Sequence, residues 1–157
     1  MNCNIVRLSK LKDKSNIMSL LLSKSCSSLN NSKNIIQYPL ILISSALVVV
    51  NSYFKEEQRI KTVNICLNAS NIFLMAVLNN LKIVEKIENH KVNSQAFLEL
   101  AHLIDSCINM NDTDTERTTQ LQKDYDMLMK YTLTDAILES VKKQVRNQYE
   151  DYDLPLL

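Results

Sequence analysis

Glycine does not occur anywhere in the 157 residues of this chain, and proline occurs only twice, at Pro39 and Pro155. Tight turns, β-bulges and phosphate-binding loops use glycine because it adopts positive φ angles without steric cost. A β-sandwich or a doubly wound α/β fold of this length would need several such positions. The missing glycine therefore predicts an all-α fold, in which helices are joined by short polar segments.

The length and the apolar content predict one folded domain. Hydrophobic residues make up 46% of the chain, and a chain of this size buries roughly two-thirds of its extended surface on folding. We expect a single-domain antiparallel bundle of five to seven helices. Its core is predicted over residues 35–149, between a basic, serine-rich N-terminal segment with a first helix (1–34) and an acidic, extended C-terminal tail (150–157).

The first two helices are predicted from the positions of polar runs and of Pro39. The first helix is expected to begin near Ser15, and the polar run at 27–34 reads as a loop. Pro39 suits the first turn of the next helix, where its missing N–H is not needed. The very apolar residues 39–54 are therefore expected to form a fully buried central helix.

The third helix is predicted at residues 57–89, with a break near 68–70 as the alternative. Three later helices are expected. The first begins at residues 93–94, the second follows a capping box formed by Thr113 and Glu116, and the third begins after Thr134. Within 57–89, apolar residues and one serine recur at alternating steps of three and four, which is typical of a heptad seam: Ile60, Val63, Leu67, Ser70, Leu74, Val77, Leu81 and Val84.

The cysteine positions and the N-terminus predict an intracellular protein. Cysteines 3, 26, 66 and 107 are too far apart for a zinc knuckle, and the N-terminus lacks an apolar signal-peptide region. We expect free thiols in the cytoplasm or nucleus, with a mitochondrial transit peptide as the less favoured alternative. The abundance of Asn, Ile and Lys beside the missing glycine is typical of an AT-rich genome, including that of a virus.

The apolar 39–54 run has the composition of a membrane span but not the length. Its apolar part is about 15 residues long, shorter than the roughly 20 that cross a bilayer. We therefore expect no membrane span.

No residue pattern predicts catalysis, a cofactor or a metal site. Glu99 and His102 form one Glu-x-x-His pair, whereas di-iron bundles need two such pairs. Cys107 lies too far around the helix from His102 for a thiol–imidazole pair, and we expect it in the core. The segment after Asp112 lacks the glycine of a calcium-binding EF-hand loop, and glycine-dependent nucleotide motifs cannot occur.

The charge is distributed unevenly along the chain. The first half is basic and the second half acidic, although the net charge is only +1. This asymmetry favours attraction between the two halves. The basic N-terminus also offers candidate phosphate contacts, and nucleic-acid binding by the N-terminal half is one alternative function: Arg7, Lys10, Lys12 and Lys14.

The favoured function is that of a non-enzymatic interaction or assembly subunit, which binds a protein partner or itself through apolar helical faces. Apolar residues flank the predicted heptad seam, and the last residues resemble a short peptide that another protein could bind. A second alternative is a virus-encoded host-interaction factor with a compact, Bcl-2-like helical domain, although the glycine of the Bcl-2 homology motif is absent. The candidate protein-binding residues are Ile65, Ile72, Phe73, Leu154, Leu156 and Leu157.

Overall fold

A computed structural model of the chain describes residues 3–53, 58–110, 114–132, 137 and 139–148. These residues form α1 (Cys3–Tyr53), α2 (Gln58–Asn80), α3 (Ile83–Asn109), α4 (Thr115–Thr132) and α5 (Glu139–Gln148). No strand occurs in the described part of the chain, which confirms the predicted all-α class.

The contacts divide the chain into two compact units. Unit 1 comprises Met1–Ser28 and Lys86–Leu157, and unit 2 comprises Leu29–Glu85. The helices α1 and α3 therefore each contribute residues to both units, and α2 belongs to unit 2 alone.

Helix α1 is continuous, so the predicted loop at 27–34 is wrong. Serine and asparagine reduce helix stability by only about 0.5 kcal/mol each relative to alanine. No glycine or proline adds a stronger break before Pro39. Pro39 itself lies inside α1 and not in a first turn. Its ring removes one backbone hydrogen bond, and the helix continues past it.

The predicted third helix ends at Asn80, nine residues earlier than expected. Leu81 and Lys82 form a turn, in which the Lys82 N–H donates to the Asn79 carbonyl at 3.2 Å. Lys82 has a φ of 48°, in the left-handed region that glycine usually occupies after a helix. A chain without glycine places a lysine there instead.

The predicted helix start at residues 93–94 is also wrong, because both residues lie inside α3. The Ser94 hydroxyl lies 3.2 Å from the Ser19 hydroxyl and donates to the Ser19 carbonyl at 2.8 Å. This serine contacts a neighbouring helix and does not cap its own.

The start of α4 lies close to the predicted position. The Asp114 carboxylate accepts the Thr115 N–H at 2.7 Å, and its negative charge is favourable at the positive N-terminal end of the helix dipole. Thr113 and Thr134 lie outside the described residues. In the last part of the chain, Val141 and Val145 are buried, as predicted from their spacing.

Unit 1 contains a hydrophobic core to which α1, α3, α4 and α5 all contribute. The rings of Phe97 and Tyr125 meet edge to face, with centroids 5.8 Å apart. Cys107 is buried here, as predicted. The core residues are Leu8, Leu11, Ile17, Met18, Leu21, Leu22, Phe97, Leu100, Ile104, Cys107, Leu121, Tyr125, Ile137, Val141 and Val145.

Polar contacts show that α1 and α3 run antiparallel in unit 1. The Cys26 thiol donates to the Ile87 carbonyl at 3.8 Å. Further toward the N-terminus of α1, Ser19 contacts Ser94, and the Lys12 ammonium contacts the Asp105 carboxylate at 2.9 Å. The residue numbers of the partners in α3 therefore increase as the residue numbers of the partners in α1 decrease.

Unit 2 has very little buried apolar surface. Among its described residues, Leu47 and Ile83 are the buried hydrophobic side chains. The prediction of a fully buried helix at 39–54 is wrong, because Leu42 is 70% exposed and Val48 is 67% exposed. Among the described residues of unit 2, only α2 and the first three residues of α3 are available to cover this part of α1, and they leave much of it exposed.

Phe97→Ala should lower the free energy of unfolding of the protein by about 3–5 kcal/mol, because it removes a fully buried aromatic side chain from the unit 1 core. The adjacent Leu98 is 44% exposed, and Leu98→Ala should lower it by less than about 1 kcal/mol. Chemical denaturation followed by circular dichroism measures both changes. Equal losses in the two variants would contradict the placement of Phe97 in the core.

Burial raises the pKa of the Tyr125 hydroxyl to about 12, with a smaller contribution from the Asp126 charge. The neutral phenol is favoured in the folded state. The stabilisation that comes from keeping the Tyr125 phenol neutral is therefore fully present below pH 10 and is lost as the pH rises toward 12. Tyr125→Phe should remove the phenol that ionises near pH 12 in an absorbance titration and flatten the loss of stability above pH 10. A Tyr131→Phe control should retain that late ionisation.

Candidate functional site

The most distinctive surface of the described chain is the apolar outer surface of unit 2. Of the twenty large hydrophobic residues that are exposed in the described structure, thirteen lie in unit 2. We call these thirteen residues the apolar surface: Ile35, Tyr38, Ile41, Leu42, Val48, Val49, Val63, Ile65, Ile72, Phe73, Met75, Leu81 and Val84.

Three of the predicted protein-binding residues belong to this surface. Ile65 is 68% exposed, Ile72 is 71% exposed and Phe73 is 67% exposed. Leu154, Leu156 and Leu157 lie outside the described residues.

The predicted heptad seam is only partly correct. Leu67, Leu74 and Val77 are half-buried. Val63 is 50% exposed and Val84 is 57% exposed. Part of the predicted inner face is therefore on the outside of unit 2.

Polar side chains occupy part of the inner face instead. Asn64 and Asn71 are half-buried on α2, and Ser44 is half-buried on α1. The Asn71 amide donates a hydrogen bond to the Ser44 hydroxyl at 2.7 Å. A helix pair that folds in water normally buries its apolar stripe and exposes its amides. Unit 2 partly reverses that arrangement.

The exposed serines of unit 2 bond to their own helices. Ser45 donates to the Ile41 carbonyl at 2.9 Å, and Ser52 donates to the Val48 carbonyl at 2.8 Å. Ser70 donates to the Cys66 carbonyl at 2.9 Å. Each hydroxyl has a hydrogen-bond partner that does not depend on water.

The sequence carried a signal for this surface that the periodicity did not reveal. Residues 34–54 and 62–81 contain no Asp, Glu, Lys, Arg or His. Charged residues lie at the ends of these uncharged segments, at Lys33, at 55–61 and at Lys82. The 39–54 run is only part of the first uncharged segment, which begins at residue 34.

Two stretches of described helix have the length and composition of membrane spans, within Asn4–Val50 and Lys61–Asn109. Their most apolar windows have mean hydropathies of 1.6 and 1.3, and only 6% and 0% of the residues in those windows are buried. A core helix of a soluble protein also passes a hydropathy test, but it is mostly buried. These two windows are not.

The candidate side chains for catalysis or metal binding belong to unit 1 and are not part of the apolar surface. Glu99 and His102 are exposed on α3, and Cys107 is 6% exposed in the unit 1 core. Among the described residues, no three or more His, Cys, Asp or Glu side chains form a group that could hold a metal ion.

Three of the four candidate phosphate contacts are exposed on one face of α1, namely Arg7, Lys10 and Lys14. The fourth, Lys12, is bonded to Asp105, and this contact links the basic and acidic halves of the sequence. The hydrogen bond to Asp105 raises the pKa of the Lys12 ammonium. The same hydrogen bond and the Lys12 charge lower the pKa of the Asp105 carboxyl, with a smaller contribution from Asn109.

No protein-family model matches the chain, and comparisons with curated proteins and with solved structures found no match.

Asp105→Asn should lower the melting temperature at neutral pH by a few degrees at most, because the lost ion pair is partly exposed to solvent. The lowered pKa of Asp105 means that the pair stabilises the fold above pH 3.8 and that this effect is lost as the pH falls through the lower folded-state value. On the alkaline side, the effect is lost as the pH rises above 10.5 through the raised pKa of Lys12. Thermal melts of wild type and variant should therefore converge at acidic pH.

A Glu88→Gln variant is the matched control for this ion pair, because Glu88 is an exposed acid on the same helix. It should show no comparable dependence of the melting difference on pH. A difference between Asp105→Asn and wild type that persists unchanged at acidic pH would contradict the assignment.

Proposed function

We propose that the chain is a non-enzymatic interaction subunit whose docking surface is the apolar surface of unit 2. One observation carries this proposal. Unit 2 exposes thirteen large hydrophobic side chains, while its buried apolar side chains among the described residues are Leu47 and Ile83.

The energetic argument rests on the solvation of these side chains. Covering one large aliphatic or aromatic side chain contributes about 1.5–3 kcal/mol, in proportion to the area removed from water. Monomeric soluble proteins rarely expose large contiguous apolar patches, since such patches promote association. The hydrophobic effect therefore strongly stabilises the binding of another molecule that covers the unit 2 surface.

Unit 1 supplies the folded body of the subunit in this proposal. Its core residues come from four helices, and its helices α1 and α3 are antiparallel, as judged from the order of their contacts. We propose that these helices form a small antiparallel bundle. The apolar surface then belongs to a unit that has a separate role from this bundle.

Replacing three residues of the apolar surface tests the proposal. The variant Ile65→Ser, Ile72→Ser, Phe73→Ser removes large exposed side chains from α2. Wild-type protein in buffer without detergent should sediment as an oligomer or aggregate at micromolar concentration and should bind a hydrophobic fluorescent dye. The triple variant should shift toward the monomer and bind less dye.

A matched control changes exposed apolar residues of unit 1, using Leu98→Ser, Leu103→Ser and Met110→Ser. This control should retain the association of the wild type, because its substitutions lie outside the apolar surface. Wild-type protein that sediments as a monodisperse monomer and binds no dye would contradict the proposed function.

A further inference from the structure

We propose that the molecule covering the apolar surface is a lipid bilayer, which α1 crosses with residues 34–53 and α2 crosses with residues 62–80. This inference rests on the proposed function and specifies the partner. It differs from the expectation drawn from the sequence, which was a protein partner without a membrane span.

The first argument is length. Each of the two uncharged segments has about 20 residues, and a helix rises about 1.5 Å per residue, so each matches the roughly 30 Å hydrocarbon core of a bilayer. The described residues of both segments are helical except Leu81, which lies in the turn after α2. The 39–54 run is not a separate short helix, because α1 continues on its N-terminal side and extends the uncharged helical segment back to residue 34.

The second argument is the position of the charged residues. Lys33 precedes the first segment and Lys82 follows the second, while 55–61 between them contains five charged residues. Charged side chains at the ends of a span reach the headgroup region, whereas a charge at the centre is strongly unfavourable. Tyr38 and Tyr53 lie near opposite ends of the first segment, where aromatic residues of membrane helices are enriched.

The third argument is the distribution of polar groups. In hydrocarbon, each polar group needs a partner within the protein. The Asn71 side-chain N–H donates to the Ser44 hydroxyl on the neighbouring helix, although the Asn71 Oδ1 accepts no hydrogen bond. The Ser45, Ser52 and Ser70 hydroxyls donate to carbonyls of their own helices. Pro39 inside α1 is also compatible with a span, since proline is more frequent in membrane helices than in soluble ones.

The fourth argument favours lipid over a second protein. At about 100° per residue, the exposed apolar side chains cover an arc of roughly 140° on α1 and roughly 240° on α2. A helix that docks on one neighbour buries a stripe of about 100°. Lipid chains contact the whole outward circumference of a helix pair, and therefore fit these wide arcs better. Three exposed asparagines of the second segment are exceptions: Asn68 in its interior, and Asn79 and Asn80 at its end beside Lys82.

A single tryptophan introduced at the centre of the second segment tests the insertion directly, because the natural chain contains no tryptophan. Phe73→Trp places the fluorophore in the second segment, and Tyr131→Trp is the matched control in unit 1. Both parent side chains are aromatic and 67% exposed. Each full-length variant is purified in detergent and reconstituted into phosphatidylcholine vesicles whose acyl chains carry bromine, a fluorescence quencher, at shallow or deep positions.

Insertion predicts that Phe73→Trp fluorescence is quenched more strongly by deep than by shallow bromine, while Tyr131→Trp is not quenched by deep bromine. Equal quenching of both variants would indicate nonspecific adsorption and would overturn the inference. If neither is quenched and the protein forms a defined oligomer without lipid, the inference is wrong and the proposed function survives. If neither is quenched and the protein is a monodisperse monomer without lipid or detergent, both are wrong.

A charge substitution gives a second readout that does not depend on tryptophan. Ile72→Lys should lower the partition coefficient into phosphatidylcholine vesicles by about two orders of magnitude, because it places an ammonium near the bilayer centre. Met110→Lys, at a residue of unit 1 that is 79% exposed, should leave partitioning unchanged. Circular dichroism should show wild-type helicity in both variants. Equal partitioning of Ile72→Lys, Met110→Lys and wild type would overturn the inference.

Discussion

Uninterrupted backbone hydrogen bonding along the helices is the constraint on which the rest of this structure depends. Without glycine, the chain has few positions at which a helix ends at low cost. Helix α1 therefore runs from Cys3 to Tyr53 through the serine- and asparagine-rich 27–34 and past Pro39. Where the chain does turn between α2 and α3, Lys82 adopts a positive φ. Among the described residues, it is the one that does so.

One consequence is that a single helix serves two different environments. Up to Ser28, α1 contributes tightly packed side chains such as Leu8, Met18 and Leu22 to the unit 1 core, and all three are fully buried. Beyond Leu29, the same helix exposes large apolar side chains such as Leu42. The difference lies in what packs beside each part. Three further helices contribute to the unit 1 core, whereas α2 and the first three residues of α3 are the described helical segments that accompany α1 in unit 2.

The sequence predicted the all-α class correctly because the missing glycine disfavours the tight turns that β and α/β folds need throughout the chain. It also predicted the burial of Cys107, Val141 and Val145, since the spacing of apolar residues on an amphipathic helix identifies its inner face. The helix boundaries were predicted less well. Serine and asparagine favour caps and turns, but this preference is weak, and contacts such as Ser19 with Ser94 outweigh it.

The candidate surface was predicted only in part, for a related reason. Ile65, Ile72 and Phe73 were identified as flanks of a heptad seam, and they are exposed. The exposed residues of α1, such as Leu42 and Val48, were missed because a very apolar segment was assumed to be buried. Hydropathy measures how unfavourable exposure to water is, and it does not show whether protein or lipid provides the cover. The proposed lipid cover rests on the lengths of the two uncharged segments and on the charged residues at their ends, Lys33 and Lys82.

The half-buried amides of unit 2 link its folding to its proposed environment. In water, the hydrogen bond between Asn71 and Ser44 replaces bonds to solvent, and its net contribution is only about 1 kcal/mol. In hydrocarbon, an amide without a partner is unfavourable by several kcal/mol, so the pairing of α1 with α2 becomes necessary for both helices to insert. The direct contact also fixes their register, since sliding one helix by a turn would separate Asn71 from Ser44. Insertion as a pre-formed helix pair is therefore the mode that this geometry favours.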